Sequence, residues 1–223
     1  MNEWIELHSF SELVLYYKSL FGNILSPKDS VLYVGYEDED ILLPIIAECG
    51  SRILAIDREE RRKSAFQNVQ TRKMDFKDAD KLLNDYFDLA ILSFVLHEND
   101  VILHQEFIKK ARKMAKAIII IEPLARNNYE GKEYEEMMEL TYKKRGSYKR
   151  FFGEEYWKQI SGFNVLSDDC VFLDRSIFKK RKISKKNGLS IEVSFQNIII
   201  LICKNGREIY GAYHCGKGCH KDI

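Results

Sequence analysis

The sequence predicts a doubly wound α/β domain on a mostly parallel sheet with helices on both faces, and three observations carry that reading. Five short strand candidates, at 30–34, 52–56, 71–76, 87–94 and 116–122, alternate with helical or polar stretches. Such alternation gives parallel strands joined by right-handed crossovers. The run FDLAILSF at 87–94 is apolar between polar flanks, as suits a strand buried on both faces at the centre of a parallel sheet. The stretch VLYVGYEDEDILLPIIAECGSRILAID at 31–57 reads as strand, tight turn at Gly35, helix over 41–47 and second strand closed by Asp57. That is half of a nucleotide-type βαβ unit, in which the first turn and the closing acid meet one ligand.

Taken in order, residues 3–21 place apolar side chains at near-helical spacing and predict a helical preface, stopped by the turn Ser26-Pro27-Lys28-Asp29. Gly50 is a plausible glycine stop for the helix after strand one. Residues 59–68 read as a charged, exposed helix, and 78–86 as another with Asp78 as its cap. A turn carrying His97, Glu98, Asn99 and Asp100 leads into a helix over 101–114, and Pro123 stops the fifth strand. Beyond it, 129–144 and 154–161 read as helices, while 163–168 and 196–204 read as closing strands separated by the basic, irregular linker SIFKKRKISKKNG. This organisation predicts one domain over 1–206, with an N-terminal helical cap at 1–28, a helical insertion at 124–150 and a Cys/His-containing tail at 207–223.

At 223 residues the chain suits one such domain, and 45% hydrophobic with 31% charged residues is globular composition. No run approaches the roughly 18 apolar residues of a membrane span, and the N-terminus lacks a secretory pattern, so the expected location is cytoplasmic. Five cysteines, an odd count, predict free thiols rather than a disulfide framework. Residues 179–223 carry ten Lys/Arg against three Asp/Glu. This basic segment could meet a nucleic acid, or its lysines could simply be solvated.

The turn after strand one narrows the ligand. Gly35 is followed by Tyr36, Glu37, Asp38, Glu39 and Asp40, where a pyrophosphate-cradling loop carries further glycines. Carboxylates there would repel each phosphate charge by about 1 kcal/mol per close pair even in water. A phosphate-free cationic ligand would instead be attracted, also by the rings of Tyr33 or Tyr36. The same acids equally suit the N-terminal end of a helix, facing water. Asp57 stands 22 positions after Gly35, close to the spacing of an acid that accepts from ribose hydroxyls.

The order of these motifs, VLYVG, ILAID, KMDF, FDLAILSFVLHE, AIIIIEP and ISGFNV, resembles that of class I S-adenosylmethionine-dependent methyltransferases, over roughly residues 10–205. The resemblance implies a seven-stranded Rossmann-like sheet whose last strand is antiparallel, with S-adenosylmethionine as cofactor. It places Tyr33, Gly35, Glu37, Asp57, Arg58, Asp75, Phe76, Ser93 and Phe94 around that cofactor. Asp57 would take the ribose, Asp75 and Phe76 the adenine, Ser93 and Phe94 the methionine portion. The family's acid-x-Gly-x-Gly-x-Gly loop keeps only Gly35 here. Within the superfamily the chain looks most like the small-molecule enzymes, whose substrate cap would include Tyr16, Tyr17, Glu98, Tyr134 and Tyr142. Helical packing is the other use of those tyrosines.

His97 could serve as general base because its ordinary pKa lies near neutrality, or it could merely begin the next helix. His214, Cys215, Cys219 and His220 are metal-compatible types, but HCxxxCH is not a standard zinc spacing, so no metal is expected. Three functions compete: methyl transfer to a small molecule, a cofactor-free methyltransferase-like assembly subunit, and RNA methylation through the basic segment.

Overall fold

The computed structural model describes residues 5–37, 40–82, 86–123, 154–161, 165–173, 182–184, 190–192 and 197–204. The insertion at 124–150 with Tyr134 and Tyr142, the acids Asp38 and Glu39, and the tail with His214, Cys215, Cys219 and His220 lie outside them.

In chain order the elements are β1 (Ile5–Leu7), α1 (Phe10–Ile24), β2 (Ser30–Val34), α2 (Leu42–Glu48), β3 (Arg52–Asp57) and β4 (Val69–Lys73). There follow a 3-10 helix (Phe76–Leu82), β5 (Phe87–Ser93), a 3-10 turn (Leu96–Glu98), α3 (Val101–Met114) and β6 (Ala115–Pro123). The last are α4 (Glu154–Ser161), β7 (Val165–Leu173), β8 (Lys182–Ser184), β9 (Ser190–Glu192) and β10 (Asn197–Lys204). One sheet runs β1-β7-β10-β6-β5-β2-β3-β4. β10 is antiparallel to both of its neighbours, and the remaining pairs are parallel. The doubly wound α/β class predicted from the sequence is observed, with the antiparallel strand where the resemblance puts it.

Alternation along the strands divides the core into two layers. Val31 and Tyr33 of β2 join Leu13, Tyr17 and Phe21 of α1 and Ile45 and Ile46 of α2 on one face. Leu32 and Val34 join Phe107, Ile108 and Ala111 of α3 and Trp157 of α4 on the other. A strand apolar at every position is therefore buried on both sides, and each fully buried large side chain contributes about 1.5–3 kcal/mol.

Four expectations are corrected. The N-terminal segment is not helical throughout: Ile5–Leu7 pair with Val171–Leu173 as an eighth, edge strand. The helix starts only where the N-cap Ser9 hydroxyl accepts from Glu12 N at 3.2 Å, while Glu12 accepts from His8 N at 2.6 Å, and these side-chain caps set the boundary. Residues 58–68 form no helix. Only Ala65 and Phe66 there are apolar, too few for a buried stripe, and Asn68 Nδ2 instead bridges Ala47 O and Ser51 O at 2.9 Å each. The helix expected at 78–86 is the 3-10 segment at Phe76–Leu82, capped by Asp75 rather than Asp78, since Asp75 Oδ1 accepts from Lys77 N at 2.9 Å. The buried Lys110 of α3 holds that segment through Phe76 O, Lys77 O and the Asp80 carboxylate. The linker between the closing strands contains β8, which pairs antiparallel with β9.

No helix among the described residues is long and apolar enough to cross a membrane. Cys49 is a free thiol.

α3 and α4 meet at His104, which donates through Nε2 to Asn99 O (3.2 Å), accepts through Nδ1 from the Tyr156 hydroxyl (2.8 Å) and stacks on Trp157. Burial holds its pKa below the ordinary value, against the raising influence of the Asn99 carbonyl. The unfolded chain then takes up the proton first, so the stability contributed above about pH 6.5 is lost as pH falls toward the lowered folded-state value. Urea unfolding of the wild type at about pH 7.5 and about pH 5 should show a larger drop in midpoint than in His104→Gln. Equal drops would remove His104 as the cause.

Candidate functional site

The carboxyl ends of β2, β3, β4, β5 and β6 bring together Gly35, Asp57, Asp75, Ser93-Phe94 and Glu122, the edge where open α/β sheets place ligands. β2 is flanked by β3 and β5, so Gly35 lies between Asp57 and Ser93, and its N–H donates to Ile56 O at 3.0 Å. Gly35 has φ +88°, and a Cβ there would run into Val95 Cγ2 and the Ser93 carbonyl. The turn needs this glycine for a left-handed backbone and for the close approach of β5.

The helix after Gly35 is capped from within. Asp40 Oδ1 accepts from Leu42 N (2.7 Å) and Leu43 N (3.3 Å), while Asp40 Oδ2 accepts from the Tyr33 hydroxyl (2.6 Å). Burial pushes the Asp40 carboxyl up, opposed by these donors. Burial, then the Asp40 charge, holds the Tyr33 phenol far above its usual value, so the proton stays on Tyr33. The first N–H groups of α2 are thus already satisfied by a carboxylate, and no phosphate seat remains there. Pro44 in this first turn is harmless, since no helical partner is lost there.

Asp57, with its side chain 12% exposed, closes β3. Its Oδ1 accepts from Glu59 N at 2.8 Å and Arg61 Nε at 3.3 Å. Burial pushes its carboxyl up, against those two donors. Among the described residues, every hydrogen bond to the Asp57 side chain goes to Oδ1. Arg58 reaches back over the end of β2 to Glu98 Oε2 at 3.1 Å, pairing two residues the sequence reading assigned separately to cofactor and substrate cap.

Beyond β5 the chain is pinned by Glu122, which is wholly buried. Its Oε1 accepts from Val95 N (3.0 Å) and Leu96 N (2.7 Å), and its Oε2 from His97 N (3.3 Å) and from His97 Nδ1 (2.8 Å). With the carboxylate accepting from Nδ1, the imidazole lone pair falls on Nε2. Within this turn Phe94 has φ +55°, a left-handed conformation that costs a non-glycine residue about 1–2 kcal/mol.

Several predicted site residues support the cleft rather than line it. Tyr33, Phe76 and Ser93 are buried; Phe76 packs edge-on to Phe107 at 5.2 Å, so its ring is part of the core. Tyr17 is likewise buried and stacks on Phe21 at 6.3 Å, whereas Tyr16 is half-buried. His97 is 1% exposed, so an acceptor reaches it only if covering side chains move. Glu37 is exposed. Among the described residues no group of His, Cys, Asp and Glu could hold a metal ion.

Sequence reasoning placed Glu122 only as a strand end at the cleft, and Asp40 only among the loop acids that either attract a cationic ligand or sit at the helix N-terminus facing water. Their signals were present: an acid ending an all-apolar strand needs several buried donors, and an acid just before LLPIIA is a helix-cap type.

Neither a protein-family model nor a curated protein matches the chain. Solved structures do. A SAM-dependent methyltransferase from Archaeoglobus fulgidus is similar at 17% identity and TM-score 0.60, over 88% of this chain and 95% of that one. The Burkholderia thailandensis 1,6-didemethyltoxoflavin-N1-methyltransferase, solved with 1,6-didemethyltoxoflavin and S-adenosylhomocysteine, is similar at 11% identity and TM-score 0.58, over 86% and 77%. An O-methyltransferase family protein from the same organism matches at 12% identity and TM-score 0.55, over 89% and 59%. At these identities the likeness is one of fold: the chain has the Rossmann-like fold of class I S-adenosylmethionine-dependent methyltransferases.

Two substitutions probe this frame. Gly35→Ala should destabilise the protein by about 3 kcal/mol, combining left-handed strain with backbone overlap. Glu122→Ala orphans a cluster of buried donors at about 1–3 kcal/mol each and should cost at least as much. Urea denaturation measures both, and a loss below about 1 kcal/mol in either would contradict the packing described.

Proposed function

We propose that the protein is an S-adenosylmethionine-dependent methyltransferase acting on a small molecule. The observation that carries this is Asp57 beside Gly35 at the ends of adjacent strands, next to a helix whose N-terminus Asp40 already caps. That combination offers a carboxylate to a ribose diol and refuses a pyrophosphate, which suits a nucleoside ligand that is cationic and free of phosphate. Fold neighbours named as methyltransferases, one solved with S-adenosylhomocysteine and a small-molecule ligand, support the reading.

The residues fit this cofactor. Asp57 would take the ribose hydroxyls, the Gly35 turn the methionine portion and Asp75 the adenine amino group, with Glu37 and Asp40 supplying negative potential to its cationic end. When bound, it supplies a methyl group whose bond to sulfur breaks as the acceptor's lone pair forms the new bond. The protein's part is alignment and exclusion of water. An acceptor that arrives protonated needs a base, and His97 is the candidate, its tautomer set by Glu122 so that Nε2 receives the proton.

Calorimetric titration with S-adenosylhomocysteine tests the reading. Ligand at about 100 times its Kd should add about 2.7 kcal/mol to stability. Asp57→Ala should weaken binding roughly ten- to a hundredfold, the worth of about 1.5–3 kcal/mol of charge-assisted hydrogen bonding. Neither heat nor thermal stabilisation in the wild type would overturn the proposal and leave the cofactor-free subunit in its place.

A further inference from the structure

We infer that Arg61 is a positioning residue for the proposed cofactor: its guanidinium fixes the Asp57 carboxylate in charge and orientation, leaving Oδ2 to accept from the vicinal diol of a ligand. The inference rests on the methyl-transfer reading and deepens it. Four cations, Arg58, Arg61, Arg62 and Lys63, follow β3 in the sequence. Arg58 pairs with Glu98, whereas Arg61 folds back on Asp57, its Nε 3.3 Å from Oδ1. The other arm of the same guanidinium brings Nη2 to 3.4 Å from Glu59 Oε2, and the Glu59 N–H donates to Asp57 Oδ1 at 2.8 Å. Asp57, Glu59 and Arg61 thus close a ring in which both donors to the Asp57 side chain converge on one oxygen.

Burial separates this ring from an ordinary surface ion pair, which contributes little and is screened by salt. The Arg61 and Asp57 side chains are only 22% and 12% exposed, and Asp57 ends the strand beside β2 and its Gly35 turn. A planar fork spans two acids at once, which the single point charge of a lysine does not. Among the described residues, the charged groups around Asp57 are Arg61 and Glu59 of its own loop, Lys73 as its register partner on β4, and Glu37 of the Gly35 turn, whose charge acts on Arg61. Burial, with the Glu59 charge, presses Asp57 toward its protonated form, while the Glu59 N–H and Arg61 oppose it. A protonated carboxyl has given up acceptor capacity that a diol uses. Arg61 therefore keeps Asp57 competent as pH falls, and without it the carboxyl takes up its proton at higher pH.

The test is calorimetric titration of the full-length protein with S-adenosylhomocysteine between about pH 5 and about pH 8. It compares wild type, Arg61→Gln, Arg61→Lys, Asp57→Asn and the Arg61→Gln/Asp57→Asn double variant; the ligand's own titration is common to all of them. At about pH 8 both Arg61→Gln and Arg61→Lys should bind roughly three- to tenfold more weakly, since neither spans Asp57 and Glu59. Toward the acid end affinity should fall earlier in Arg61→Gln, by about half to one pH unit, whereas Arg61→Lys keeps the charge and should follow the wild-type profile. In Asp57→Asn affinity should be low at every pH, and adding Arg61→Gln should change it by less than about twofold. A loss in Arg61→Gln that is equal at every pH, or that persists undiminished beside Asp57→Asn, would mark a structural role only and overturn the inference. Wild-type protein that binds no S-adenosylhomocysteine would overturn the cofactor reading as well, whereas normal wild-type binding with parallel pH profiles would overturn the role of Arg61 alone.

Discussion

A carboxylate on a strand buried on both faces is tolerable only where several donors converge on it, and Glu122 meets that condition by drawing in the chain that leaves β5. Three backbone N–H groups and one imidazole nitrogen close on its two oxygens. The consequences run outward from there. The turn is held in one shape, Phe94 is forced into the left-handed region, and Val95 and the Ser93 carbonyl are pressed onto Gly35. The glycine at position 35 is thus required by a glutamate from another strand, and the approach of β2 to β5 at the cleft follows from the same contact.

This arrangement explains how a loop with a single glycine still makes a well-formed turn. Close approach of backbone is needed only at Gly35. Farther along, the chain uses Asp40 to satisfy the start of α2 and to receive the Tyr33 hydroxyl. The Tyr33 hydroxyl holds the Asp40 carboxylate close by. The electrostatic result is a cleft edge rich in carboxylates, which would repel phosphate. The Arg58–Glu98 pair spans this edge, tying the loop after β3 to the turn after β5 and balancing one of those acids.

Much of the architecture was legible in residue patterns, because strands buried on both faces are apolar runs whatever their neighbours. Ser30–Val34 and Val101–Met114 fall where the sequence places them. Legibility failed where secondary structure depends on contacts distant in sequence. Ile5–Leu7 carry the same apolar residues whether helical or extended, and only pairing with Val171–Leu173 makes them a strand. The charged stretch at 58–68 has helix-forming residues but no apolar face, and Asn68 ties it elsewhere.

The same division holds at the site. Residue patterns alone were enough for the α/β class and for the strand ends that carry Gly35 and Asp57, since these follow from periodicity and spacing. Contacts between strands then set which of the site's side chains hold the frame. Phe76 and Tyr33 went into the core, His97 was locked to Glu122, and Asp40 became a cap. Those outcomes depend on which partners arrive from other strands to satisfy a buried charge, and linear spacing does not record that.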